Sequence, residues 1–116
     1  MDVVIERGDV VWVDFGPAEA SEPAYRRPAV VVQADAFNRS ELATLLVVPL
    51  TSNVALGRYP GNVLIPEGAA NLPRDSVALV TQLTTTSRSR VERPVGAIPP
   101  DLLRQISSGL RLVLAL

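Results

Sequence analysis

The chain has 116 residues, 47% of them hydrophobic, with a formal net charge of −1. That length makes one domain, residues 1–116, able to bury a core of its own, and the small charge argues against bulk electrostatic binding to a long duplex while leaving room for a local basic groove. Cys and His are both absent, which excludes disulfides, Cys/His zinc sites, thiol nucleophiles and Ser–His triads.

The first residues, Met1-Asp2-Val3, lack the basic start and long apolar run of a signal peptide. Ala43 to Leu50, the longest apolar run, is interrupted by Thr44 and Pro49 and is far too short for a membrane span. The expectation is a cytoplasmic protein with no membrane partner. Pro is 10 of 116, against about 5% on average. Prolines spread along the whole chain favour short strands joined by turns over a helix bundle.

Arg7-Gly8-Asp9 reads as a turn, and Val10 to Phe15 as the first strand. Trp12 and Phe15 in it look structural. Gly16 to Arg27 is a loop holding Gly16, Pro17 and Pro23, and it ends on Arg26-Arg27-Pro28. Pro28 biases Arg27 toward extended backbone, so Arg27 should open the second strand, Ala29 to Gln33, and be aimed by a stiff element. A guanidinium fixed in that way suits a phosphate or carboxylate. Residue chemistry alone leaves a second reading open, a surface ion pair with Glu19 or Glu22.

Ala34 to Ser40 is polar and turn-like, and Ala43 to Leu50 is the third strand. Tyr59-Pro60-Gly61-Asn62 fits a type II turn. Val63 to Ile65 is a short strand stopped by Pro66. Ser76 to Thr85 reads as one long strand, in which Gln82 and Thr84 would share a face by the two-residue period. Pro94 to Ile98 is a last short strand. Pro99-Pro100-Asp101 then opens the only clear helix, with Pro100 suited to its first position and Asp101 to the positive end of its dipole. Leu102, Leu103, Ile106, Leu110, Val113 and Leu114 make one apolar stripe at helical spacing. Gly109 in its middle either weakens the helix or admits a close neighbour. Short strands followed by one helix suggest a small, partly open β-barrel capped by a helix.

Arg7-Gly8-Asp9-Val10, Asp14, Gly16-Pro17, Ser21-Glu22, Arg27-Pro28, Asn38, Leu50-Thr51-Ser52, Arg74-Asp75-Ser76-Val77 and Gln82 occur in one order along the chain. This ordered set resembles the MazF/PemK family of toxin endoribonucleases of type II toxin–antitoxin systems. The resemblance implies an SH3-like, partly open β-barrel of the CcdB/PemK kind, mainly β with one C-terminal helix. It implies a homodimer that cuts single-stranded RNA at short sequences without a metal or other cofactor, leaving a 2′,3′-cyclic phosphate and a 5′-hydroxyl. It also implies a cognate antitoxin whose acidic disordered tail lies across the RNA groove. Carried over residue by residue, it assigns catalysis to Arg27 and Thr51, with Glu22 as the candidate acceptor of the 2′-hydroxyl proton. Ser21, Arg26, Asn38, Arg39, Ser52, Gln82 and Thr84 become the expected RNA contacts. Ala20 stands where relatives often carry Gly, and Thr84 where they often carry a basic residue, so base preference need not follow the family.

Two other readings share the fold class. A CcdB-like gyrase poison relies on a C-terminal Trp-Gly-Ile, whereas this chain ends Leu112-Val113-Leu114-Ala115-Leu116 and its only Trp is Trp12. A non-catalytic SH3-like binding module usually needs an aromatic cluster, and RNA cleavage by the pure protein separates it from the first reading. Without the resemblance, Thr51 reads as a strand-end residue bonded to its own backbone.

Overall fold

The computed structural model describes residues 4–17 and 25–116; Ser21 and Glu22 lie outside the described residues. The strands are β1 (Asp9–Asp14), β2 (Arg26–Val31), β3 (Thr44–Thr51), β4 (Val63–Ile65), β5 (Ser76–Ala78), β6 (Thr84–Ser87) and β7 (Gly96–Ala97). A short helix, α1 (Asp35–Asn38), links β2 to β3, and α2 (Pro100–Leu114) follows β7. The strands form one antiparallel sheet in the order β4-β5-β3-β2-β1-β7, with β6 paired to the first half of β3. It curls into the partly open barrel with one C-terminal helix that the sequence implies.

Alternation along the central strands divides their side chains between two faces. Val10, Val30, Val48 and Leu50 join Val63, Ile65, Ala78, Ile98 and Ile106 inside the barrel, where α2 closes the core with Leu102, Leu103 and Leu110. On the other face Val11, Val13, Ala29, Val31, Leu45 and Val47 pack under Ile5, Phe15 and Val91. Strands buried on both faces explain the nearly continuous apolar runs in the sequence. The two end strands, β4 and β7, are not paired with each other. The 3₁₀ turn Ala69–Asn71 spans that gap, where Asn71 Nδ2 donates to the Val95 carbonyl at 2.6 Å. A Cβ on Gly96 would lie 2.4 Å from the Ala70 carbonyl oxygen, so this closure requires glycine.

The structure departs from the sequence reading in two places. The polar segment after β2 is not just a turn: it forms α1, whose Asn38 is buried. The long strand expected over Ser76–Thr85 is broken by a 3₁₀ turn, Val80–Gln82, into β5 and β6. The cause is packing. Val80 is fully buried beside Gly61 and Gly109, and its N–H donates to Asn62 Oδ1 at 3.1 Å. The chain kinks so that α2 can dock there, while β5 pairs with the end of β3 and β6 with its start. The two-residue period therefore does not run from Gln82 to Thr84. The expected turn at Tyr59–Asn62 is present, with Gly61 at φ +90° and Asn62 N–H donating to Tyr59 O at 3.2 Å.

Candidate active site

Arg27 enters the site through strand register. Ala29 pairs with Pro49 in the β2–β3 ladder. Arg27 and Thr51 each stand two residues beyond that pair, at the same end of the two strands. On its other side β2 pairs with β1, Arg27 opposite Val13 and Pro28 opposite Trp12. Proline is tolerated in this strand interior because Trp12 also bonds elsewhere, its carbonyl accepting from Glu92 N–H at 2.9 Å. The hairpin is pinned just outside the strands, where Phe15 N–H donates to Tyr25 O at 2.9 Å and Tyr25 N–H to Gly16 O at 2.5 Å.

Arg27, Thr51 and Ser52 line one cavity of about 280 Å³. Its other walls are Trp12, Pro28, Leu50, and the segment from Leu72 to Arg74 with Ser76. The described residues around it include no carboxylate. Thr51 Oγ1 accepts the Asn53 N–H at 3.2 Å, so the strand-end backbone bond considered for this residue does form. It also turns the hydroxyl into a directed donor, since a lone pair is occupied and the proton is left to bond a ligand. Arg27 is half-buried, and its side chain makes no hydrogen bond or ion pair to the described residues; Glu19 and Glu22, the partners of the ion-pair reading, lie outside them. A half-buried guanidinium beside a polarised hydroxyl can grip non-bridging oxygens of a phosphodiester.

Sequence reasoning missed Arg74 and Trp12 as lining residues. Arg74 is an exposed second cation on a tethered loop: Ser76 Oγ donates to the Arg74 carbonyl at 3.2 Å, and Asp75 Oδ1 accepts the Glu67 N–H at 2.7 Å. Proximity to Thr51 was legible only through the β3–β5 pairing, in which Thr51 lies opposite Val77. Trp12 belongs to neither core cluster, unlike Phe15, and borders the cavity instead.

The remaining expected contacts lie elsewhere. Arg26 stacks its guanidinium over Trp12, 4.2 Å from the ring centroid, and its Nε donates to Glu92 at 2.6 Å. That hydrogen bond raises the Arg26 pKa and holds the Glu92 carboxyl below the usual carboxylate range. Asn38 is built into the fold. Its Nδ2 donates to the Gln33 carbonyl at 2.9 Å and to Asp35 Oδ1 at 3.1 Å, and its Oδ1 accepts from Gln33 Nε2 at 3.0 Å. Arg39 is exposed at the end of α1 and borders a separate, broader cavity together with Arg88. Arg88 is spent on structure, donating to the carbonyls of Leu42, Phe37 and Asn38. Gln82 sits on the 3₁₀ turn and Thr84 in β6 opposite Val47, both outside the Arg27–Thr51 cavity. Ser21 and Glu22 lie outside the described residues.

Residues 6–114 match the family described as PemK-like, MazF-like toxin of type II toxin–antitoxin system. The chain is 44% identical over 114 residues to Endoribonuclease MazF6 of Mycobacterium tuberculosis, covering 98% of this chain and 100% of that one. The crystal structure of MazF (Form-I) from Deinococcus radiodurans superposes with a TM-score of 0.83 at 28% identity, covering 99% of this chain and 100% of that chain. A MazE–MazF structure (Form-II) from the same organism gives 0.79, again at 28% identity, covering 99% of both chains. With a family match across nearly its whole length and a relative 44% identical over 114 residues, the chain belongs to the PemK-like, MazF-like toxins of type II toxin–antitoxin systems.

Proposed function

We propose that this chain, an endoribonuclease toxin of that family, cleaves single-stranded RNA by attack of the RNA's own 2′-hydroxyl. The observation that carries the proposal is the convergence of Arg27 and Thr51 on one cavity. Such cleavage needs the attacking oxygen aligned with the scissile phosphate and the extra charge of a phosphorane stabilised. Arg27 supplies a planar fork for two phosphate oxygens, and Thr51 donates one further hydrogen bond. Ser52 and Arg74 hold the neighbouring backbone. The products are a 2′,3′-cyclic phosphate and a 5′-hydroxyl, and no metal takes part, in keeping with a cavity of cations and hydroxyls. Arg27 is a poor base because its pKa lies above about 12; Glu22 is the candidate for the 2′-hydroxyl proton. Ser21, Arg39, Gln82 and Thr84 are proposed to touch RNA, while Asn38 acts through the fold.

Cleavage of cytoplasmic mRNA, rRNA or tRNA would block translation and growth. The toxin works as a homodimer. Leu112, Val113, Leu114 and Leu116 at the end of α2 are exposed, an apolar patch suited to burial by a second copy. A cognate antitoxin with an acidic disordered tail covers Arg27 and Arg39, folding as it binds; the solved MazE–MazF pair supports an antitoxin partner. The test is to map the ends of a long RNA cut by pure protein in excess EDTA. Cyclic phosphate ends, and resistance of RNA carrying 2′-methoxy groups, are expected. Loss of cutting in EDTA with return on adding magnesium would overturn the proposal.

A further inference from the structure

We propose that Trp12 is a stacking platform for an unpaired nucleobase of the substrate, held in place by a bracket of Arg26 and Glu92. The inference rests on the RNA-cleavage reading and adds a base subsite to it.

The cavity has two kinds of wall. Arg27, Thr51, Ser52 and Arg74 suit a ribose–phosphate backbone, but Trp12, with Pro28, Leu72 and Pro73, presents a mainly apolar wall. It suits the flat apolar face of a base. The volume, about 280 Å³, is near the lower end of pockets that hold one small organic molecule, about 300 Å³.

The ring is fixed. Its backbone is held on both sides, by register with Pro28 and by the hydrogen bond from Glu92 N–H. Arg26 crosses over the indole to reach Glu92, with Nε and Nη2 donating to the two carboxylate oxygens at 2.6 and 3.2 Å. The guanidinium covers one face of the indole, 4.2 Å from its centroid, yet the ring still borders the cavity. Arg26 is thus a positioning residue. Its charge is already matched by Glu92, and it orients the ring instead of gripping a phosphate.

Trp12 is the single tryptophan, so intrinsic fluorescence reports on this ring alone. The probes are fully 2′-methoxy oligouridylate and oligoadenylate, which cannot be cut, and an abasic oligonucleotide of the same length and charge. The base-bearing probes should quench Trp12 and the abasic one should not. A folded Trp12→Leu should bind the base-bearing probes about tenfold to a hundredfold more weakly, with abasic binding little changed. Should Trp12→Leu not fold, Glu92→Gln serves: it keeps the shape, frees Arg26, reduces the quench, and raises KM about threefold to tenfold, more than it lowers kcat. Equal quenching by the abasic probe, or no quenching by a wild-type protein that cuts RNA, overturns the platform while leaving the cleavage reading intact. A wild-type protein that cuts no RNA defeats the cleavage reading, and the base-versus-abasic comparison then still decides whether the ring stacks a base.

Discussion

Gly109→Ala should destabilise the protein, although alanine is the better helix former by about 1 kcal/mol. The site lies within α2, where the backbone meets the turn at Gly61. A Cβ on residue 109 would stand 2.2 Å from the Gly61 carbonyl oxygen, 3.0 Å from its carbonyl carbon and 3.1 Å from Val80 Cγ1. Neither backbone can yield easily. Gly61 is held at φ +90°, and the Asn62 side chain ties the turn to Leu56 O at 3.0 Å and to Val80 N–H at 3.1 Å. Overpacking against a flexible side chain costs about 1–3 kcal/mol; against fixed backbone the upper part of that range applies. After the propensity gain, a net loss of about 2 kcal/mol is expected, a fall in Tm of roughly 8 °C for a domain this size. Ser108→Ala, at an exposed neighbour on the same helix, controls for propensity and should be neutral or slightly stabilising. Thermal unfolding followed by circular dichroism checks both. An alanine at 109 that melts at or above the wild-type temperature would refute the view that this glycine contact docks the helix.

Asn38→Ala should cost about 1–3 kcal/mol in urea unfolding, because it strands buried partners on Gln33, while cleavage per folded molecule changes little. Acid should weaken the fold from the carboxylate side. Asp35 is held below its ordinary pKa by the Arg7 N–H and then by Asn38, and Glu92 by its hydrogen bonds from Arg26. Depressed groups of this kind contribute stability above their unfolded pKa and lose it as pH falls through the folded one. Urea midpoints should therefore drop as pH falls through and below the ordinary carboxylate range, and less steeply in Glu92→Gln. Replacing Leu112 and Leu116 by Glu should convert a dimer into a monomer by light scattering; a wild-type monomer at micromolar concentration would contradict the proposed interface.

Much of the fold was legible because its signals are local. β-branched runs marked the central strands, Pro60-Gly61 marked the turn, and Pro100-Asp101 marked the start of α2. The break at Val80–Gln82 was not, since it answers to a helix docking almost thirty residues later and to a glycine pair whose members meet only in the folded chain. Arg27 and Thr51 were carried by resemblance, and both line one cavity at the same end of β2 and β3. Asn38, an RNA contact by resemblance, proves to be buried and held by its bonds with Gln33 and Asp35; a polar residue in a polar segment gives no sign of that burial. Arg26 misled in the other direction. Adjacent to Arg27 in sequence, it points to the opposite face of β2 by the alternation of a strand, and its partner Glu92 lies far along the chain. Trp12 looked structural, and its place on a cavity shared with Leu72, Pro73 and Arg74 joins segments about sixty residues apart.

The central claim is that Arg27 and Thr51 together stabilise the transition state of RNA cleavage. Single-turnover cleavage of a short RNA in excess EDTA, by wild type, Arg27→Ala, Arg27→Lys and Thr51→Ala, tests it most directly, with circular dichroism to confirm folding. Arg27→Ala should lose about 10²–10³ in rate, as when one preorganised donor to a developing charge is removed. Arg27→Lys should recover little, because an ammonium cannot present the planar fork. Thr51→Ala should slow the step more than it weakens RNA binding, as expected of a donor acting mainly on the transition state. A folded Arg27→Ala that cuts at the wild-type rate would contradict the account.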